Sequence, residues 1–461
     1  MTRESFQCRC KSWLRRRASC CWMVPLLLAA AGLWAQQIPA PTDLPGRPFF
    51  IKQTRILGGT GNWDYLTVDP VARQLFIAHG QVAQVVDLDT GTLTGQVAGL
   101  REAHQIALDD AGEFGYISDG VADQVKVFDR RSLQVVATIP TGPAPRALVF
   151  EPQSRLLFAI CTGPVDESLD QPASASQPTN RGTTPSAAAG RTSTANRAGR
   201  PAPGTEIRTS LTVIDVQTRV PLAQILIPGL AGFADTDGNG RVFLNIVNRN
   251  QLARLDAQSI ASLLHSSTAA LANSQPATSE PGSAAPAQAV KAVSPMLLDW
   301  SRETRLPDSA EGRINLFNLG AGCIEPRGLA IDSRHARLFV GCSNMKMIVL
   351  NAATGDSVAT LPTGPGTDSV GYDPERGLIY SANGGANGSL TVIHQDVTDT
   401  YAVIQNLPTR RRARTLAVNR STGEVYLVTD IVGVNLAQPA GIGTLQSVPV
   451  KGSFQVLVIA N

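Results

Sequence analysis

Tryptophan and cysteine are scarce in this 461-residue chain, and their placement narrows the possibilities further. Of five tryptophans only Trp63 and Trp300 lie beyond residue 35, too few for a ring that docks a quinone cofactor by tryptophan stacking. Of seven cysteines, Cys8, Cys10, Cys20 and Cys21 lie in the first 35 residues, leaving Cys161, Cys323 and Cys342, no two at the spacing of a zinc site. No Gly-x-Ser-x-Gly elbow, His-Glu-x-x-His, phosphate loop or Cys-x-x-Cys-His haem attachment is present, nor the recurring Trp-Asp and Gly-His marks of WD repeats. Basic runs are also few. Beyond the N-terminus only Arg410-Arg411-Arg412 with Arg414 forms a block, which argues against general nucleic-acid binding.

One apolar run stands out, Cys20 to Leu33, preceded by Arg15-Arg16-Arg17 and followed by Leu33-Trp34-Ala35. It falls short of the roughly 20 residues a membrane span needs. The order basic, apolar, small predicts a secretory signal peptide over residues 1–35, cleaved after Ala35, with a retained anchor as the alternative. The expected mature chain is exported to the periplasm or the extracellular space and has no membrane span. The leader carries a net +5, so its removal turns the formal +3 into −2. A linker over residues 36–48 would follow.

What the chain has in abundance is repetition. Seven times an apolar stretch ends in an acid or Asn: at Asp69, Asp109, Glu151, Asp235, Asp332, Asp373 and Asn419. Each is followed by an aromatic that opens a second strand: Phe76, Tyr116, Phe158, Phe243, Phe339, Tyr380 and Tyr426. A third strand follows, as in Val125-Lys126-Val127-Phe128-Asp129, and a fourth, as in Ala137-Thr138-Ile139-Pro140. Four short strands per roughly 40 to 45 residues is the spacing of a β-propeller blade, so the expected fold is all-β, a seven-bladed propeller over residues 49–461. The seventh unit supplies three strands, and Phe49 to Leu57 is the expected fourth, closing the ring by pairing the two ends of the domain.

Tyr380-Ser381-Ala382-Asn383 followed by Leu390-Thr391-Val392-Ile393, with Ala137-Thr138-Ile139-Pro140-Thr141-Gly142 and Ala359-Thr360-Leu361-Pro362-Thr363-Gly364, resembles the YVTN-repeat (YncE-like) propeller family. The resemblance covers residues 49–461 apart from two insertions. It implies the propeller fold and an exported or surface binding protein of unspecified ligand. The signature's final Asn is replaced by His79, Asp119, Cys161, Ile246, Cys342 and Thr429 in the other units, so no full ring of Asn carries over.

Residues 164–206 and 266–295 are rich in Pro, Ser, Ala, Thr and Gly and lack the apolar content to offset ordering. They fall between the second and third strands of blade 3 and the third and fourth of blade 4, on opposite faces of the disc. The first is a candidate lid or tether, or simply a tolerated surface insertion. Cys323 and Cys342 share one face of blade 5, so a disulfide joins them in an oxidising compartment, or else all three cysteines are small buried residues.

Ligands of propellers usually bind over the central channel. Five residues before each anchor the chain offers Asp64, His104, Arg146, Leu230, Arg327, Asp368 and Arg414, and the second-strand ends add Asp119 and Asn383. Arginine forks suit carboxylate or phosphate, so the expected site holds an anionic or zwitterionic small molecule or a cell-envelope protein or polymer. The competing explanation is that each Arg pairs with a carboxylate of the next blade and only holds blades together. The expected function is non-catalytic binding, by a monomer, without cofactor or metal. The enzyme alternative is a lactonase using His104 and Asp64; less favoured is a haem d1-like domain with His79 and His104 as axial ligands. His79, His104 and Asp119 are the one candidate metal set, and His394 is expected to be structural, His265 and His335 to lie in a linker and a turn. Asp235-Thr236-Asp237-Gly238-Asn239-Gly240 resembles a calcium loop, but position twelve would be Ile246, so a hairpin turn is preferred.

Overall fold

Seven blades built on four antiparallel strands follow one another in a ring; in the first six these strands run outward from the channel in chain order, and in the seventh the outermost is the N-terminal strand Phe50–Ile56. The computed structural model describes residues 47–59, 62–163, 208–273, 296–299, 314–396, 399–434 and 447–461. All of them belong to one unit, Asp43–Asn461. The expected leader 1–35, most of the linker, the insertion 164–206 and residues 274–295 lie outside the described residues.

The repeat places its residues by a simple rule. The seven aromatics that open the second strands are each at most 2 % exposed, packed between neighbouring blades, and the anchor acids cap the first hairpin. Asp69 accepts the Val71 and Ala72 N–H groups, Asp109 those of Gly112, Glu113 and Phe114, and Asp373 those of Glu375 and Arg376. A short acceptor side chain that reaches backbone N–H groups two or three residues on is the mechanism by which Asp and Asn favour turns. In blade 4 the cap is Asp237, which accepts from Asn239 and Arg241. Phe243 pairs with Asp235, as Phe76 pairs with Thr67. The anchor expected at Asp235 is therefore two residues early. A turn forms as preferred, but over residues 237–240, with Asp235 and Thr236 still in the strand.

Blade 7 closes as expected. Phe50–Ile56 pairs antiparallel with Gln455–Ala460, from Phe50 opposite Ala460 to Ile56 opposite Gln455. Phe49 secures the closure: its N–H and C=O bond the Gln405 amide, and its ring meets Tyr380 edge-on at 5.8 Å. Cys323 and Cys342 are bridged, with Cα atoms 5.3 Å apart, and Cys161 is free and buried.

Three features depart from the plain repeat. Helix Ala257–Asn273 follows the third strand of blade 4, so His265 sits in a helix rather than a linker, and the helix covers the start of the expected 266–295 insertion. Its N-cap is Asp256, which accepts the Ser259 N–H where Asp87 or Asp129 caps a hairpin. Met296–Asp299 adds a fifth, parallel strand to the outer edge of blade 3. A short hairpin, Val432–Val434 with Ser447–Pro449, lies between the second and third strands of blade 7. Among the described residues no helix is long and apolar enough to cross a membrane.

Candidate functional site at the channel mouth

With the blade 4 register corrected, the residues five before each cap are Asp64, His104, Arg146, Gly232, Arg327, Asp368 and Arg414. Gly232 replaces the expected Leu230. Blade 4 thus presents no side chain at the mouth, between the arginines of blades 3 and 5.

The six side chains form three groups. Asp64 of blade 1 accepts a hydrogen bond from His104 Nδ1 of blade 2 at 2.8 Å and lies 3.5 Å from Arg146 of blade 3. Arg414 Nε lies 3.2 Å from Asp368 of the preceding blade. Arg327 donates to Glu325 of its own blade at 2.8 Å. The side chains of Arg146, Arg327 and Arg414 are 52 %, 43 % and 49 % exposed, those of Asp64 and Asp368 only 12 % and 29 %. Each guanidinium therefore uses one nitrogen on one carboxylate and keeps its remaining donors toward solvent. Pairing between blades and an open site coexist, since the acids are buried and the arginines are not.

Asp368 shows that these charges converge. Burial pushes its pKa up, Arg414 pulls it down, Asp64 pushes it up, and Arg327 and Arg146 pull it down, with a net rise. Burial works against a charged His104, but its hydrogen bond to Asp64 and Glu102 lying 3.7 Å from Nε2 outweigh that and raise its pKa. In the protonated state that these carboxylates favour, the imidazole has no free lone pair for a metal, a haem iron or a substrate proton.

Two expected ligand residues are not at the mouth. Asp119 is fully buried and accepts the Arg101 and Glu102 N–H groups and the Gln124 amide. Asn383 is fully buried, accepting from Thr367 and Ser381 and donating to Ser389 and Thr391. Strand alternation turns both into the blade, where their polar atoms are spent. His79 does not join His104: it lies against Phe454 at 3.9 Å between ring centroids and bonds Gln84. Among the described residues no cluster of three or more His, Cys, Asp or Glu is arranged to hold a metal. Of the basic block, Arg412 is bonded to Asp430 at 2.8 Å and lies over the Trp63 ring at 4.5 Å.

Sequence reasoning missed the residues one step deeper. Tyr65 of blade 1 and Phe233 of blade 4 meet with ring centroids 5.1 Å apart. Burial, followed by the Asp64 and Asp368 charges, pushes the Tyr65 hydroxyl well above its ordinary pKa. These rings form the floor of the charged mouth. The signal was available, since both are aromatics four residues before a cap.

No family model and no curated protein sequence matches the chain. Its fold is nevertheless shared by many solved structures. The structure of U3-55K is similar over 88 % of this chain and 98 % of that one, at 10 % identity and a TM-score of 0.54. The RRP9 WD40 repeats are similar over 88 % and 97 %, at 10 % identity and 0.55. A chain of the mitotic checkpoint complex is similar over 86 % and 94 %, at 12 % identity and 0.53. The likeness shows the propeller fold alone.

Proposed function

We propose that this chain is an exported, YVTN-like propeller that binds an anionic or zwitterionic ligand, a free small molecule or an acidic group of a cell-envelope partner, at the mouth of its channel. One observation carries the reading: three half-exposed guanidiniums ring one axis, each held by a single contact, with a gap at Gly232 between Arg146 and Arg327. With His104 protonated, the mouth sets Arg146, Arg327, Arg414 and His104 against Asp64, Asp368, Glu102 and Glu325. This near-balance suits a ligand that carries both signs. A carboxylate or phosphate would take the free arginine donors, and an accompanying cation would face Asp368, the acid with the more exposed side chain of the mouth pair. Export is supported by the leader pattern of residues 1–35 and by the Cys323–Cys342 bridge, which an oxidising compartment maintains. A lactonase or haem d1 reading asks His104 for a nitrogen lone pair, and the protonated state that its carboxylate neighbours favour supports binding instead.

The test is thermal shift of the purified protein against organic acids, amino acids, sugar phosphates and acidic oligosaccharides, repeated with Arg327→Ala. Ligands that raise the melting temperature of the wild type and not of the variant support the reading. A ligand that stabilises both equally would place binding elsewhere. Lactone hydrolysis by the wild type that is lost in His104→Ala would overturn the non-catalytic assignment.

A further inference from the structure

Against the Phe233 ring the channel holds a chamber of about 300 Å3. It reaches from Gln105 and Phe233 to Arg420, an exposed residue of the turn after the blade 7 inner strand, and so extends to the face opposite the mouth. Apolar side chains line it, Leu148, Val149, Leu329 and Val418 among them, although most of the surface that the wall exposes is polar.

One residue does not fit that wall. Two positions before the cap, the other six blades place Thr67, Ala107, Val149, Ala330, Gly371 and Ala417, all without charge. Blade 4 places Asp235 there. Its carboxylate accepts the Thr236 N–H at 2.8 Å, and among the described residues it forms no ion pair; Arg420 acts on it only at longer range. Asp237, not Asp235, caps the hairpin, so the turn does not require this carboxylate. Phe233, two residues earlier on the same strand, lines the same chamber.

We propose that this chamber binds a small organic ammonium ion with an apolar body, its cation held between the Asp235 carboxylate and the Phe233 ring. An ammonium gains from both partners, through charge pairing with the acid and through the ring quadrupole. A divalent metal is a poor fit. Calcium takes roughly six to eight oxygens, whereas the wall offers one carboxylate, and the nearby Thr236 hydroxyl already accepts the Gly238 N–H and donates to Arg241 C=O. The volume lies at the small end for ligand sites, so the body is an alkyl chain or a single ring. This site is separate from the mouth, and neither proposal rests on the other.

The experiment is calorimetric titration of the full chain with benzylammonium, with benzyl alcohol as a neutral molecule of the same shape. Benzylammonium is expected to bind about tenfold or more tighter than the alcohol, to weaken by a similar factor in Asp235→Asn, and severalfold in Phe233→Leu. Binding should fall as pH is lowered through about 6, where Asp235 takes up its proton, with Asp237 and Arg420 the charged groups that face it. Arg327→Ala should leave it unchanged, which separates this site from the mouth. If Asp235→Asn does not fold, Ala107→Leu, which fills the chamber and keeps the carboxylate, is read instead and must abolish binding. Equal affinity in wild type and Asp235→Asn, no heat up to about 1 mM amine, or calcium binding that depends on Asp235 would each overturn the proposal.

Discussion

Asp235 should cost the unliganded protein stability at neutral pH, and replacing it with Asn should recover that loss. Burial raises its pKa from 3.8 to about 6, with the Thr236 N–H and the distant Arg420 pulling only weakly the other way. Between those two values the native state holds a proton that the unfolded chain has released. Unfolding therefore becomes easier as pH rises across that window. A shift of about two units at 1.36 kcal/mol each gives a ceiling near 3 kcal/mol, and water in the chamber reduces this to about half. For a chain of this length that corresponds to about 2 °C in melting temperature. The assay is the difference between the Asp235→Asn and wild-type melting temperatures, measured at intervals from pH 3.5 to 7.5, so that all other titrating groups cancel. The difference should be near zero at the acid end, grow between pH 4 and 6, and stay constant above. Parallel curves, or a variant less stable at pH 7, would refute the reasoning.

Reducing the Cys323–Cys342 bridge, or changing Cys342 to Ser, should cost about 3 kcal/mol from the loop it closes, seen as a lower melting temperature in dithiothreitol. The Cys161 thiol, pushed up to about 12 by burial, should stay unreactive toward thiol reagents until the chain unfolds. Arg130→Ala should lower the urea midpoint by the equivalent of about 3–5 kcal/mol, because Arg130 bridges Asp69 and Asp109 of adjacent blades and both acids would be left buried and unpaired. His104 should titrate above 6.5 by NMR and fall in Asp64→Asn. Since its folded pKa is the raised one, its contribution is full below the unfolded value near 6.5 and disappears as pH climbs through the folded value.

Blade count, ring closure and the mouth residues were legible because each depends on a local period. A hairpin cap must be Asp, Asn or Glu, an aromatic must follow it, and the inner strand fixes what lies five residues before. Blade 4 misled because Asp235 and Asp237 both satisfy the cap in isolation, and only the pairing of Phe243 with Asp235 chooses between them. The slip hid both the gap at Gly232 and the stray carboxylate in the channel. Asp119 and Asn383 were misplaced because the end of a strand is on the right face of the disc, yet its side chain can still turn inward. The helix at Ala257–Asn273 was missed because Asp256 carries the same signal whether it caps a turn or a helix, and the fifth strand of blade 3 arrives from another blade's insertion, which no period records. Tyr65 and Phe233 share a position, four residues before the cap, but only with the blade 4 cap at Asp237, so the same slip hid their match.

The pairing of Phe50–Ile56 with Gln455–Ala460 sets an order on folding. A chain made from its N-terminus exposes the first of these strands long before the second exists, so blade 7 cannot be completed during synthesis. Bringing the two together at the end closes a loop of nearly the whole domain, an entropic cost that approaches about 5 kcal/mol while the intervening chain is flexible and shrinks as the other six blades fold. Until then Phe49 lacks its place against Tyr380 and the waiting strand is an open edge, so the vulnerable interval of this protein's life is the gap between emergence of its first strand and its last.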